Sequence, residues 1–307
     1  MSTPSYFDPR LTEQRNPRTG AIDTASSREI VDLMNAEDRL VPEAVGACRE
    51  EIARTIDLVV DAFRAGGRLI YVGAGTSGRL GVLDATECPP TFGIAPDMVV
   101  GIIAGGLPAL TRSQEGAEDD IAAAVRDLDA QGVTANDVVL GIAASGTTPY
   151  VRAALGRAQR LEARTVLLTC SEPPAELAAA CNVAIVVRAG PEVLTGSTRL
   201  KAGTATKLVL NTVTTGAMIR LGKAYGNLMV DLMAWSAKLQ DRGERIVMEA
   251  CGVDRPRARR AIEEAEGSVK LAVVMVRRDV TREEAQRLLQ QAGGVVRRVA
   301  GDPPPVS

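Results

Sequence analysis

A doubly wound α/β fold, with a five-stranded parallel sheet flanked by helices and a small C-terminal helical domain, is the architecture the 307-residue sequence predicts. Three observations carry that expectation. Five short aliphatic runs, RLIYVG, MVVGIIAGG, DVVLGIAAS, RTVLLTC and VAIVV, lack the apolar–polar alternation of a strand with one wet face. Near-continuous Val, Ile and Leu is the pattern of strands covered on both faces, which means a parallel sheet with crossover helices. Segments of helical spacing, such as EGAEDDIAAAVRDLDAQG and PYVRAALGRAQRLE, separate most of the runs. After Asp241 the strand signals stop, and RIVMEACGV, RPRARRAIEEAEGSVKLAVVMV and TREEAQRLLQQAGGVVRRV read as short helices.

Taken in order, residues 1–26 are polar and broken by Pro and Gly, so an extended arm or loop is expected. SSREIVDLMN opens the first helix, with Ser26 or Ser27 as its cap. A longer helix is expected from Arg39 to Ala65, with Pro42 in its first turn and Gly66 and Gly67 ending it. The five strands and their crossover helices follow. From Lys201 to Leu239 the spacing is helical again, with a broad apolar side and small residues that suit a buried or partner-facing helix. The change of texture puts a boundary near residue 245: a large domain over 1–245 with an N-terminal helical arm, and a small helical domain over 246–307.

Composition narrows the function. The net charge is −2 and aromatics make up 3%, which offers nucleic acid neither a basic surface nor stacking platforms. Five cysteines without CxxC spacing read as reduced thiols in a cytoplasm. No apolar signal core opens the chain and no run of 18 apolar residues spans a membrane, so a soluble cytoplasmic protein is expected. The sequence contains no histidine. Ser-His-Asp triads, Cys-His pairs and the usual zinc sites are thereby excluded, and protons must be moved by Glu, Asp, Lys, Tyr or Cys. No metal or other cofactor is expected.

Two loops carry the chemistry. GAGTSGR (73–79) follows a strand directly and opens a helix, so Gly75 lets the backbone approach an anion while Thr76 and Ser77 add hydroxyls. A tight turn without a ligand would read the same way. A dinucleotide unit fits poorly, because the second strand ends in glycines rather than in an acidic residue. AASGTTPYV (143–151) repeats the arrangement after another strand and supplies Ser145, Gly146, Thr147 and Thr148. Two such loops at strand carboxyl ends converge on one crevice. Hydroxyls and amides without a Walker lysine suit a phosphomonoester on a neutral sugar better than a nucleoside triphosphate. Just beyond the first loop, Glu87 in TECPP is expected to follow a short helix. Cys88, Pro89 and Pro90 around it offer little solvation, which raises a carboxyl pKa and keeps it an acid near neutrality. The alternative is a solvated loop carboxylate. Asp84 in LDATE reads as a solvated helix-surface acid.

LTEQRNP, NAEDRLVPEAV, GAGTSGRLGVLDATECPPTFG, EGAED, GIAASGTTPYV, GPEVLTGSTRLKAGTATKLVLN and GNLMVDL together resemble the N-acetylmuramic acid 6-phosphate etherase family, within the sugar isomerase (SIS) fold superfamily. The likeness covers nearly the whole chain. Many etherases have Ser-Cys-Asn after the fourth strand, where this chain has Thr169-Cys170-Ser171-Glu172. The resemblance implies a homodimeric, cofactor-free lyase that removes the D-lactyl ether of N-acetylmuramic acid 6-phosphate, in peptidoglycan recycling or amino-sugar use. It implies that Glu87 and Glu118 are catalytic and that Ser197 and Lys201 contact the substrate. Glu118 is expected at a helix start, where the dipole favours the ionised form. Two other readings stay open: a phosphosugar isomerase, and a non-catalytic phosphosugar sensor like the glucokinase regulatory protein, which shares the GSTRLKAGT-like segment.

Overall fold

The computed structural model describes residue 8, residues 10–232 and residues 237–305. Its first helix, α1 (Ser27–Asp38), starts in a reciprocal capping box: the Ser26 hydroxyl accepts from the Glu29 amide while the Glu29 carboxylate accepts from the Ser26 amide. The long helix expected from Arg39 to Ala65 is two helices, α2 (Leu40–Gly46) and α3 (Arg49–Arg64). The break turns Cys48 inward, where its thiol donates to the Val186 carbonyl at 3.2 Å. Gly66, at φ +75°, then ends α3, and the Gly67 amide reaches back to the Ala62 carbonyl.

All five expected strands form. β1 (Leu69–Gly73) leads into α4 (Gly75–Phe92), β2 (Val99–Ile103) into α5 (Ile121–Asp129), and β3 (Val138–Ile142) into α6 (Pro149–Arg160). β4 (Arg164–Thr169), α7 (Ala175–Ala180), β5 (Val183–Val186) and α8 (Lys201–Arg220) complete the series. The strands pair in parallel in the order β2-β1-β3-β4-β5, with Tyr71 between Gly101 and Leu140. Ile70, Val72, Val139 and Leu167 share a buried cluster with Leu128 of α5 and Val151 of α6. Tyr71 points the other way, toward α4. In this order the direction in which successive strands are added reverses between β1 and β3, and ligands bind beyond the carboxyl ends at such a switch point. The two hydroxyl-rich loops leave from those two strands.

Residues up to Thr86 together with Asp97–Thr214 make one compact unit, which holds this sheet. Glu87–Pro96 and the chain from Thr215 onward make a second. The helix expected to run to Leu239 stops at Arg220, because Gly222 (φ +79°) turns the chain and the Lys223 amide closes on the Met218 carbonyl. A short hairpin follows, β6 (Ala224–Tyr225) and β7 (Leu228–Met229), and residues 233–236 of that expected helix lie outside the described residues. Helices α9 (Ala237–Cys251), α10 (Arg255–Glu264), α11 (Val269–Arg278), α12 (Arg282–Gln291) and α13 (Val296–Ala300) complete the chain. Tyr225, Val230 and Leu232 are buried in one core with Val247, Val273 and Val296. The boundary expected near residue 245 falls inside α9, within this second unit.

Candidate functional site

The first loop is shaped by close backbone approach. A Cβ on Gly73 would lie 2.7 Å from the Gly78 nitrogen, and one on Gly78 would lie 2.6 Å from Ile103 Cγ1. Only glycines let β1 fold directly back into α4. The first turn of α4 therefore presents free amides at the end of β1, flanked by the half-buried Thr76 and Ser77. Gly75 itself is exposed at φ +51°.

The second loop is tighter. Gly146 is buried at φ +76°, and a Cβ there would meet Pro173 Cα at 3.0 Å and Thr169 Oγ1 at 3.1 Å. Ser145 Oγ lies 3.2 Å from Thr147 Oγ1 and accepts from the Thr147 amide. Thr148 occupies the N-cap position of α6 without a side-chain capping bond, and Pro149 follows at the first helical position. The Ser145 and Thr147 hydroxyls thus sit together beside a helix start.

The third segment is held as a loop between β5 and α8. Glu192, 1% exposed, closes its base by accepting from the Lys201 and Ala202 amides, both at 2.9 Å. Burial pushes the Glu192 carboxyl pKa up, while those amides and Lys201 pull it down. Ser197 is half-buried within the loop. A Cβ on Gly203 would lie 3.7 Å from Thr76 Cγ2, so the first turn of α8 reaches the first loop. Lys201 does not face a phosphate pocket. It is 1% exposed, and its Nζ donates to Glu37 at 2.8 Å and to the Pro191 carbonyl at 3.1 Å. The N-terminal arm is ordered against the same segment, as three 3-10 turns between Leu11 and Thr24. The Gly196 amide donates to the Thr12 carbonyl, Asn16 Nδ2 to the Pro191 carbonyl, and Thr19 Oγ1 to the Val193 carbonyl.

Glu118 lines a solvent-open cleft together with Ala74 and Gly75 of the first loop, Arg79 and Glu115. It lies in a 3-10 turn, Ala117–Asp119, ahead of α5. The helix-start argument passes to Asp120, the N-cap, whose carboxylate accepts from the Ala123 amide. Glu87 lies inside α4 rather than after it, and its side chain is exposed. Cys88 turns inward instead, 3% exposed, so the expected desolvation of Glu87 is not provided by its Cys-Pro-Pro neighbours. Pro89 and Pro90 fall in the last turn, where each removes an intrahelical amide donor shortly before the helix ends at Phe92.

Asp84 is no surface acid. It is 5% exposed and accepts from the Tyr71 hydroxyl at 2.8 Å, Asn211 Nδ2 at 2.5 Å and Thr214 Oγ1 at 3.3 Å. These bonds tie α4 to β1 and α8. Glu37, Glu192 and Asp84 were invisible to sequence reasoning as a supporting set, because isolated acids in helical or loop sequence default to solvent. Their only signal was position inside long family-like motifs.

The fold and its two switch-point loops define an SIS-type α/β protein, and residues 51–159 match the glucokinase regulatory protein N-terminal SIS domain. Over 287 residues, 94% of this chain and 97% of the relative, it is 54% identical to the N-acetylmuramic acid 6-phosphate etherase of Geobacillus thermodenitrificans. It is 52% identical over 294 residues, 96% of this chain and 95% of the relative, to the same-named protein of Brucella anthropi. The chain belongs to the N-acetylmuramic acid 6-phosphate etherase family. Among solved structures, the phosphoheptose isomerase of Neisseria gonorrhoeae superposes with a TM-score of 0.48 at 19% identity, covering 62% of this chain and 97% of that one.

Proposed function

We propose that this protein is a cytoplasmic, homodimeric lyase that converts N-acetylmuramic acid 6-phosphate and water to N-acetylglucosamine 6-phosphate and D-lactate. The observation that carries the reading is the likeness to etherases over 94% of the chain, which takes in both loops and both glutamates. The site suits the chemistry. The α4 and α6 helix starts, with Ser77, Ser145, Thr147 and Thr148, hold the 6-phosphate. Gly75, Thr76, Gly146 and Ser197 shape the contact, while Lys201 keeps the third segment in place from beneath.

In the open-chain sugar the C2 proton is acidified by the C1 aldehyde. Glu118, in the cleft beside the first loop, takes that proton. The C3–O bond to the lactyl group breaks, and Glu87 gives a proton to the departing ether oxygen. Water then adds at C3, and C2 regains a proton. No step requires electron transfer. With no histidine in the chain, both proton transfers are assigned to carboxyl groups.

Incubation with N-acetylmuramic acid 6-phosphate in ¹⁸O-labelled water tests the reading. Stoichiometric D-lactate without label, and one ¹⁸O at C3 of the amino sugar, are expected. Label in the lactate hydroxyl would overturn C3–O cleavage, and an aldose–ketose product without lactate would favour an isomerase.

A further inference from the structure

Arg79 ends the GAGTSGR loop, and nothing in the reaction as written uses it. Its position is unusually well fixed for a half-buried arginine. Nε donates to the carbonyls of Ala109 at 3.0 Å and Leu110 at 3.2 Å. Those bonds occupy one edge of the guanidinium, and among the described residues neither Nη group has a partner. The side chain lines the same cleft as Glu118 and Gly75. Glu115 and Glu118 share that cleft, yet neither forms an ion pair with it. The result is a planar cation, braced through Nε, with its Nη donors uncommitted among the described residues.

We propose that Arg79 is the specificity-determining residue that binds the carboxylate of the lactyl arm. This assignment rests on the etherase reading and adds a second anion site to it. The substrate carries two negative groups, the phosphate at C6 and the carboxylate of the 3-O-lactyl substituent. The proposed base, Glu118, must reach C2, and the lactyl carboxylate is only a few bonds from that carbon. A carboxylate brought so close to Glu115 and Glu118 needs a counter-charge. A guanidinium whose Nη donors remain free matches a carboxylate in fork geometry. Sugar phosphates without the lactyl arm gain nothing from this contact, so Arg79 separates the muramyl from the glucosaminyl sugar.

The test compares two substrates in two enzymes. One substrate is N-acetylmuramic acid 6-phosphate; the other is its lactamide, in which a neutral amide replaces the carboxylate. Formation of N-acetylglucosamine 6-phosphate is followed for both. The wild-type enzyme should prefer the acid by about 30-fold in kcat/KM, the effect of one charge-assisted hydrogen-bonded pair. Arg79→Gln should reduce that preference to less than about 3-fold, while its inhibition constant for N-acetylglucosamine 6-phosphate, which lacks the lactyl arm, stays within about 3-fold of wild type. A wild-type enzyme that treats acid and amide alike overturns the proposal without any variant. So does an Arg79→Gln enzyme that keeps the full preference, or one that loses acid, amide and product affinity equally, which marks Arg79 as a brace for residues 107–110. Absence of product from both substrates with wild-type enzyme would count against the etherase reading instead.

Discussion

Glu37 shows how single side chains underpin the site. It is 2% exposed and ion-paired to both Arg18 and Lys201. The Arg18 guanidinium, helped by Lys201 and Asn16, outweighs burial and holds its carboxyl pKa at about 2. A depressed folded-state pKa contributes stability that is complete above the unfolded value near 4.5 and is lost as pH falls toward 2. Urea midpoints should therefore drop across that window, and Glu37→Gln should drop less steeply because its own term is gone. Parallel curves for the two proteins would show that the ion pair carries no such linkage. The two proposed proton-transfer roles are separable in heavy water. Glu118→Gln should abolish both lactate release and deuterium exchange at C2. Glu87→Gln should stop lactate release but keep some exchange, since the aldehyde still acidifies the C2 proton. Exchange lost in Glu87→Gln and kept in Glu118→Gln would reverse the two roles. A ligand-induced thermal shift in both variants would establish that they still bind the phosphosugar. The family-like motifs singled out these two glutamates. Their surroundings were not legible: solvation depends on which side of α4 a residue faces, and the adjacent Cys88 faces the opposite way from Glu87.

At the scale of elements, strands were easier to read than helices. A strand buried on both faces needs only a short aliphatic run, so β1 to β5 stood out. Helix ends depend on single turn residues, and Cys48 and Gly222 broke two helices that spacing alone had joined. The first loop offers a direct comparison of glycine roles. Gly75 needs its positive φ but has open space around a Cβ, whereas Gly78 has no room against Ile103 and the Gly73 carbonyl. Gly75→Ala should cost about 1 kcal/mol in urea unfolding, the penalty of a left-handed alanine. Gly78→Ala should cost at least about 2 kcal/mol more, because backbone must move. Equal losses would mean that β1 and α4 separate freely.

For the whole molecule, the proposed function assigns to the phosphate the binding energy that positions the C2–C3 bond. N-acetylmuramic acid without its phosphate should react at least about 100-fold less efficiently in kcat/KM, equivalent to ~2.7 kcal/mol from one or two charge-assisted hydrogen bonds. Comparable turnover of the two sugars would remove the two loops from the account. Among the described residues no helix is long and apolar enough to cross a membrane. The doubly wound architecture was legible from the strand pattern, while the place of Tyr225, Val230 and Leu232 in the helical core was not, because spacing alone joined them to the preceding helix.

The tethering of the N-terminal arm has a consequence for synthesis on the ribosome. Thr12, Asn16 and Thr19 find partners 159 to 175 positions further along the chain. At roughly 5–20 residues per second, these residues wait on the order of 10 to 35 s for Ser171, Pro191 and Val193 to be made. During that interval only nearby partners such as Glu37, which pairs with Arg18, are available to the arm. Its polar make-up suits the wait, since it exposes few greasy side chains to neighbouring chains or chaperones. The arm can join the structure only after β5 and the segment beyond it have emerged, so a segment translated early is among the last to settle.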